Sequence, residues 1–301
     1  MQPVITRASW AMVITLGFVW GATFMVIELA LRGITPFWLT FARLGFAALL
    51  LGTIWQLRGG KLWLGEERPW HWLILSGALS AAIPFLLLSW GLQFVTSGFA
   101  GVSMAAIPLM VLPLAHVFLV GEQMSLRRSV GFVTGFAGVA MLIGAQAFES
   151  SGLEGEIWGR VACVSAAMCY GVNSIITRRL PAIDPLGLSA NLMIIGALII
   201  LPAALVIEGV PQMPTAETMG YLALLGLVPT AAANLLRVLV IRSAGSTFMS
   251  LTNYIVPVCS VFLGAWVLGE PLPPGLLSAL ALILGGVLIS QLGALKRLFS
   301  R

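Results

Sequence analysis

Charge is what this sequence has least of. Asp, Glu, Lys and Arg make up 9% of its 301 residues, against 59% hydrophobic ones. Soluble domains carry about 25% charged residues. So little charge cannot cover a water-soluble globule, so the chain reads as an integral membrane protein with the lipid bilayer as its first partner. Cysteine is nearly as scarce. Cys163, Cys169 and Cys259 all fall within apolar segments, and an odd number of buried thiols builds no disulfide framework. Only two histidines are present, His71 and His116. No HExxH pair and no phosphate-cradling glycine loop accompanies them. Ser103 and His116 share one helical segment about 20 Å apart along its axis, too far for a nucleophile–base pair. The sequence therefore predicts neither an enzyme nor any cofactor or metal. The net charge of +5 comes without a basic cluster interleaved with aromatics, which excludes a nucleic-acid reading. The longest polar links, 58–69 and 148–156, leave no room for a soluble domain.

What is present is a series of apolar runs long enough to cross a bilayer. Ten segments qualify: 10–31, 36–57, 70–93, 97–119, 128–147, 157–179, 185–207, 217–241, 246–268 and 274–295. The first follows Arg7 but runs well past a signal-peptide core, so it is read as an uncleaved span. Ten spans put both termini on one side. With the N-terminus in the cytoplasm, 12 of the 16 Lys and Arg residues fall inside and only Arg32 and Arg160 outside. The positive-inside rule thus places both termini in the cytoplasm.

The chain also repeats itself. Residues 97–122 and 246–271 each run from small polar residues through a central proline to a Gly-Glu pair. Pro108 and Pro257 are 149 residues apart, Gly121-Glu122 and Gly269-Glu270 are 148 apart, and Pro36/Pro185 and Gly77/Gly226 keep the same spacing. This predicts an all-α membrane protein of two five-helix repeats, 1–147 and 157–301. Five spans is an odd number, so the second repeat is inverted relative to the first.

Several short motifs carry a family resemblance. They are Trp20-Gly21-Ala22-Thr23-Phe24 in the first span, Arg43 in the second, Tyr170-Gly171-Val172-Asn173 followed by Arg178-Arg179-Leu180 in the sixth, and the two Gly-Glu pairs. In this order and spacing the chain resembles the EamA-type exporters of the drug/metabolite transporter superfamily over nearly its whole length. The resemblance implies a multi-pass transporter of the bacterial inner membrane. It also implies a small-molecule substrate, with amino acids, including aromatic ones, among those of its bacterial members. Lipophilic cationic drugs are the alternative cargo, and a channel-like pore the alternative mechanism.

Trp20, Thr23 and Phe24 share one helix face, as do Tyr170, Asn173 and Ser174 at an offset of 150 residues. Both faces lie at mid-depth, where they predict two walls of one substrate cavity. Helix packing is the competing reading. Pro257 is expected to free the Asn253 carbonyl beside Tyr254, and Pro108 that of Met104, by removing a backbone donor. Trp90 is expected further out along an exit path. Glu28 and Arg43 are candidates for a gating or structural ion pair. Glu122 and Glu270 are expected to cap the helix that follows each. Glycines in spans 5 and 10 predict close helix packing, within one chain or across a homodimer. No carboxylate or histidine is expected near mid-depth, which favours a facilitator over a proton-driven pump.

Overall fold

Prolines and small hydroxyl residues set where the helices begin. The computed structural model describes residues 5–118, 124–144, 155–272 and 274–299. Helix α1 (Arg7–Leu31) starts on a Thr6 cap, and α2 (Pro36–Leu57) and α9 (Pro185–Ile207) start on proline. There the missing N–H is one that no helix would use. Asp184 completes the α9 cap by accepting from the Gly187 N–H at 2.6 Å. The remaining elements are α3 (Trp70–Gly77), α4 (Ile83–Gly91), α5 (Ser97–Met104), α6 (Ile107–Phe118), α7 (Leu126–Gly144), α8 (Glu156–Thr177), α10 (Ala216–Leu225), α11 (Ala233–Ala244), α12 (Ser246–Met249), α13 (Thr252–Leu268) and α14 (Pro274–Phe299). Among the described residues there is no strand, only one isolated bridge between Trp63 and Ile183. Among the described residues, eight helical stretches are long and apolar enough to cross a membrane, and Thr252–Leu268 is a shorter apolar helix.

Two of these stretches are not plain α-helices. A π-helical segment, Ala78–Ala82, joins α3 to α4, and another, Gly226–Ala232, joins α10 to α11. They start 148 residues apart, the offset of the sequence duplication. The 97–118 stretch differs from expectation. It breaks after Met104, and Pro108 is the second residue of α6, where a proline has no bond to remove. Pro257 does lie inside α13.

Glycine lets pairs of helices touch. A Cβ on Gly286 of α14 would stand 2.4 Å from the Gly135 nitrogen and 2.5 Å from the Gly131 oxygen of α7. The glycine faces of these helices are therefore used against each other within one chain. Helices α2 and α9 pack side by side and are tied at both ends. At one end Glu208 accepts from Thr35 Oγ1 at 2.5 Å and Trp38 Nε1 donates to the Gly209 carbonyl at 3.0 Å. At the other, the Leu64 and Asp184 N–H groups donate to Ala182 and Leu62.

The two ends of the bundle differ. At the end holding Glu270, α5 packs on α1, α8 and α13, and α4 packs on α8. At the end holding Lys61, α6 packs on α7 and α8, while α11 packs on α1 and α12. Among the described residues, α3, α6 and α8 do not pack closely on α1 or α11. Across the centre the helices are therefore joined at the Glu270 end, the closed end, and stand apart at the Lys61 end, the open end.

Glu270 holds the closed end together. It does not cap α14, as expected for a residue just before that helix. Gly269 ends α13 in the left-handed conformation (φ +69), and the chain folds back so that the Glu270 N–H donates to the Gly264 carbonyl at 3.1 Å. The carboxylate then accepts from the Ser97 and Gly98 N–H groups at 2.7 and 3.1 Å. It caps α5, where the helix dipole favours an anion. Ser260 Oγ adds a bond to the Ser97 carbonyl at 2.8 Å. Gly121 and Glu122 lie outside the described residues.

Candidate functional site

A π-helical turn is wider than an α-turn and leaves backbone carbonyls for other donors. In a membrane those carbonyls must be met by protein groups or by water or ligand in a cavity. The donors here come from side chains at the centre of the bundle. Trp20 Nε1 of α1 donates to the Pro229 carbonyl at 3.0 Å, and Thr230 Oγ1 donates to the Leu225 carbonyl at 2.7 Å. Beside the other π-helical segment, Ser80 Oγ donates to the Ser76 carbonyl at 2.6 Å, and Ser76 Oγ donates to Asn173 Oδ1 of α8 at 2.7 Å. Each π-helical region is thus held by one residue of the two faces picked out by sequence, Trp20 by one and Asn173 by the other.

Trp20, Tyr170 and Tyr254 are half-buried around one shared core. The Tyr254 hydroxyl is buried without a partner. Asn253 precedes it and is half-buried as well. Thr23 and Ser174 spend their hydroxyls locally, on the Val19 and Gly171 carbonyls at 2.9 and 2.7 Å. Phe24 is part of the core itself. Trp90 is not brought to this group. Its ring lies 4.9 Å from that of Phe94, which rests on Gly155 and Gly159 at the start of α8.

Glu28 and Arg43 do not meet. The Glu28 carboxylate faces Glu270 and Arg32 at the closed end. Arg43 reaches instead to the π-helical segment between α10 and α11, donating from Nε to Thr230 Oγ1 at 2.8 Å. Its guanidinium carbon lies 3.9 Å from the centre of the Phe85 ring, a cation–π contact. Arg237 is exposed on the α11 face opposite the exposed Leu239, close to Asn234.

Sequence reasoning missed Thr230, because no composition cue marks a π-helical turn, and Ser76 and Phe85 on the flanking α3 and α4, because nothing local marks which helix they face. The Ser76–Asn173 bond has a measurable expectation. A double-mutant cycle with Ser76→Ala and Asn173→Ala, read by thermal unfolding in detergent, should give a coupling of about 1 kcal/mol. That is in the range for hydrogen bonds between membrane helices. A coupling indistinguishable from zero would mean the bond does not join the helices in solution.

A bundle of apolar, membrane-crossing helices with broken segments around a polar-edged centre defines a multi-pass membrane transporter. The profile of the EamA-like transporter family matches residues 8–144 and again 157–292, and the chain belongs to that family within the drug/metabolite transporter superfamily. It is 29% identical over 290 residues to the "Uncharacterized inner membrane transporter YedA" of Escherichia coli strain K12, covering 91% of this chain and 88% of that protein. It is 24% identical over 281 residues to the "Uncharacterized transporter YoaV" of Bacillus subtilis strain 168, covering 92% and 94%. It is 27% identical over 299 residues to the "Probable terminal-alkyne amino-acid exporter" of Streptantibioticus cattleyicolor, covering 97% and 96%. One crystal structure, 21% identical, superposes with a TM-score of 0.65 over 95% of this chain and 98% of its own, a likeness of fold.

Proposed function

We propose that this chain exports amino acids or related small metabolites across the bacterial inner membrane by alternating access. In this reading it has ten spans in two inverted five-helix repeats, with both termini in the cytoplasm. The observation that carries the reading is the central group of Trp20, Tyr170, Asn173 and Tyr254 beside two π-helical segments, in a bundle joined across its centre at one end. Aromatic faces with a few neutral polar groups suit a small amphipathic solute. The Streptantibioticus relative is named for an amino-acid cargo, which supports the same class. Helices joined across the centre at one end suit a carrier better than a channel. With the charge-derived topology, the open end is cytoplasmic and the state is inward-open. Glu28 and Glu270 stand at the closed end rather than at mid-depth, so the transporter runs its substrate downhill.

Proteoliposomes test the substrate. Labelled amino acids, lipophilic cations and sugar phosphates are offered at equal concentration, with and without an imposed pH gradient. Saturable counterflow of amino acids is expected. Trp20→Ala and Asn173→Ala should lower it at least tenfold while the protein stays folded and inserted. Uptake of cations or sugar phosphates without amino acids would overturn the cargo. Uphill accumulation abolished by an uncoupler would overturn the facilitator.

A further inference from the structure

Among the described residues, Arg43 is a buried cation without an anion. It is 5% exposed. Its one hydrogen bond among the described residues runs from Nε to Thr230, and Nη1 is buried with no partner. The acids of the described helices are engaged elsewhere. Glu28 faces Glu270 and Arg32, Glu156 pairs with Arg160, Glu217 accepts from Tyr221, and Asp184, Glu208 and Glu270 cap helix starts. Arg160 is the instructive contrast. It is as deeply buried as Arg43, at 2% exposed, and carries its own carboxylate one turn away.

A buried, unpaired charge is costly, and in a membrane it marks function by default. The fold itself does not require it. At the duplication offset of 149, set by Pro36 and Pro185, the position of Arg43 corresponds to Leu192, a partly buried residue packed on hydrocarbon. Thr230 and Phe85 fix the guanidinium from its Nε side and its face. The edge bearing Nη1 and Nη2 is left unpaired, and that edge binds a carboxylate through two parallel hydrogen bonds. Tyr170 stands within electrostatic reach of the guanidinium, and the carbonyl that Trp20 grips belongs to Pro229, next to Thr230. Arg237 lies seven residues past Thr230, about 10 Å along the helix toward the open end. It is exposed there.

We infer that Arg43 is the carboxylate-binding residue of this transporter and that its substrates carry a single free carboxylate. The inference rests on the transporter reading above and narrows its substrate class. An amine without a carboxylate leaves the Nη edge unpaired and binds weakly. A doubly charged phosphate exceeds the single neutralising charge.

The test compares each acid with its uncharged amide on the purified full-length protein. Binding of L-phenylalanine and L-phenylalaninamide is measured by displacement of a labelled amino acid in wild type, Arg43→Lys and Arg43→Gln. Wild type is expected to favour the acid by about 10- to 100-fold, the range of a charge-assisted pair. Arg43→Gln should bring that ratio close to one, chiefly by weakening binding of the acid. Arg43→Lys, which keeps charge but loses the planar fork, should fall between. Equal binding of acid and amide by wild type overturns the inference, as does a parallel loss of both in Arg43→Gln, which is the signature of a structural role. Should Arg43→Gln not survive solubilisation, the wild-type and Arg43→Lys ratios decide. If no amino acid binds, the amino-acid reading fails on its own, and benzoate against benzamide, followed by thermal shift, tests the carboxylate inference separately. Stabilisation by neither, or by both alike, would then end it.

Discussion

Gly286→Ala should be among the most damaging single-methyl additions in the molecule, and Gly285→Ala, its neighbour, among the mildest. The new Cβ at 286 would meet the backbone of Gly131 and Gly135 at 2.4–2.6 Å. Backbone atoms have no rotamer to turn aside, so α7 and α14 must separate along their contact. A cost on the order of 3 kcal/mol is expected, the upper part of the overpacking range. At Gly285 nothing lies within 4 Å, and the change should stay within about 0.5 kcal/mol. Thermal unfolding of the two variants in detergent, run side by side, measures the difference. Equal midpoints would show that these helices do not pack as described.

Glu270→Ala is the second. It removes the acceptor for two backbone N–H groups at the start of α5, where Ser97 and Gly98 are both buried. Each orphaned donor costs about 1–3 kcal/mol, so a loss of about 2–6 kcal/mol is expected. The loss should also be local. Hydrogen exchange over residues 97–102 is expected to accelerate more than exchange in α9. Glu270→Gln keeps an acceptor but loses the charge and one of the two carboxylate oxygens, so it should fall between. Unchanged exchange across α5 would remove Glu270 from the closed end. The geometry also constrains Gly264, on the turn of α13 that the chain folds back over, since a Cβ there would come within 2.2 Å of the carboxylate oxygen.

These two residues show what the sequence could and could not disclose. Helix positions were readable because apolar runs and prolines act locally. The duplication was readable because Pro108, Pro257 and the Gly-Glu pairs keep a fixed spacing. That glycines in spans 5 and 10 serve close packing was readable; that their partners are each other was not, because spacing carries no information about which helix lies opposite. Sequence position assigns Glu270 to the wrong helix for the same reason, its true partner being 173 residues away. The Trp20 and Asn173 faces were legible from their shared offset. The π-helical segments they grip were not, since a widened turn needs no particular residue. Arg43 stood out as a charge in an apolar run, but its neighbours Thr230 and Phe85 come from helices that sequence distance does not connect to it.

The bond from Trp20 to the Pro229 carbonyl spans 209 residues. The indole is made early, and its acceptor does not exist until three quarters of the chain has been synthesised. At ordinary elongation rates that interval is about 10 to 40 s. During it, the Trp20 N–H is unanswered or answered by something temporary. The same holds for the start of α5, which waits 173 residues for Glu270. The native centre of this bundle is therefore assembled only after the second half arrives, and the first half alone is a molecule still holding open bonds.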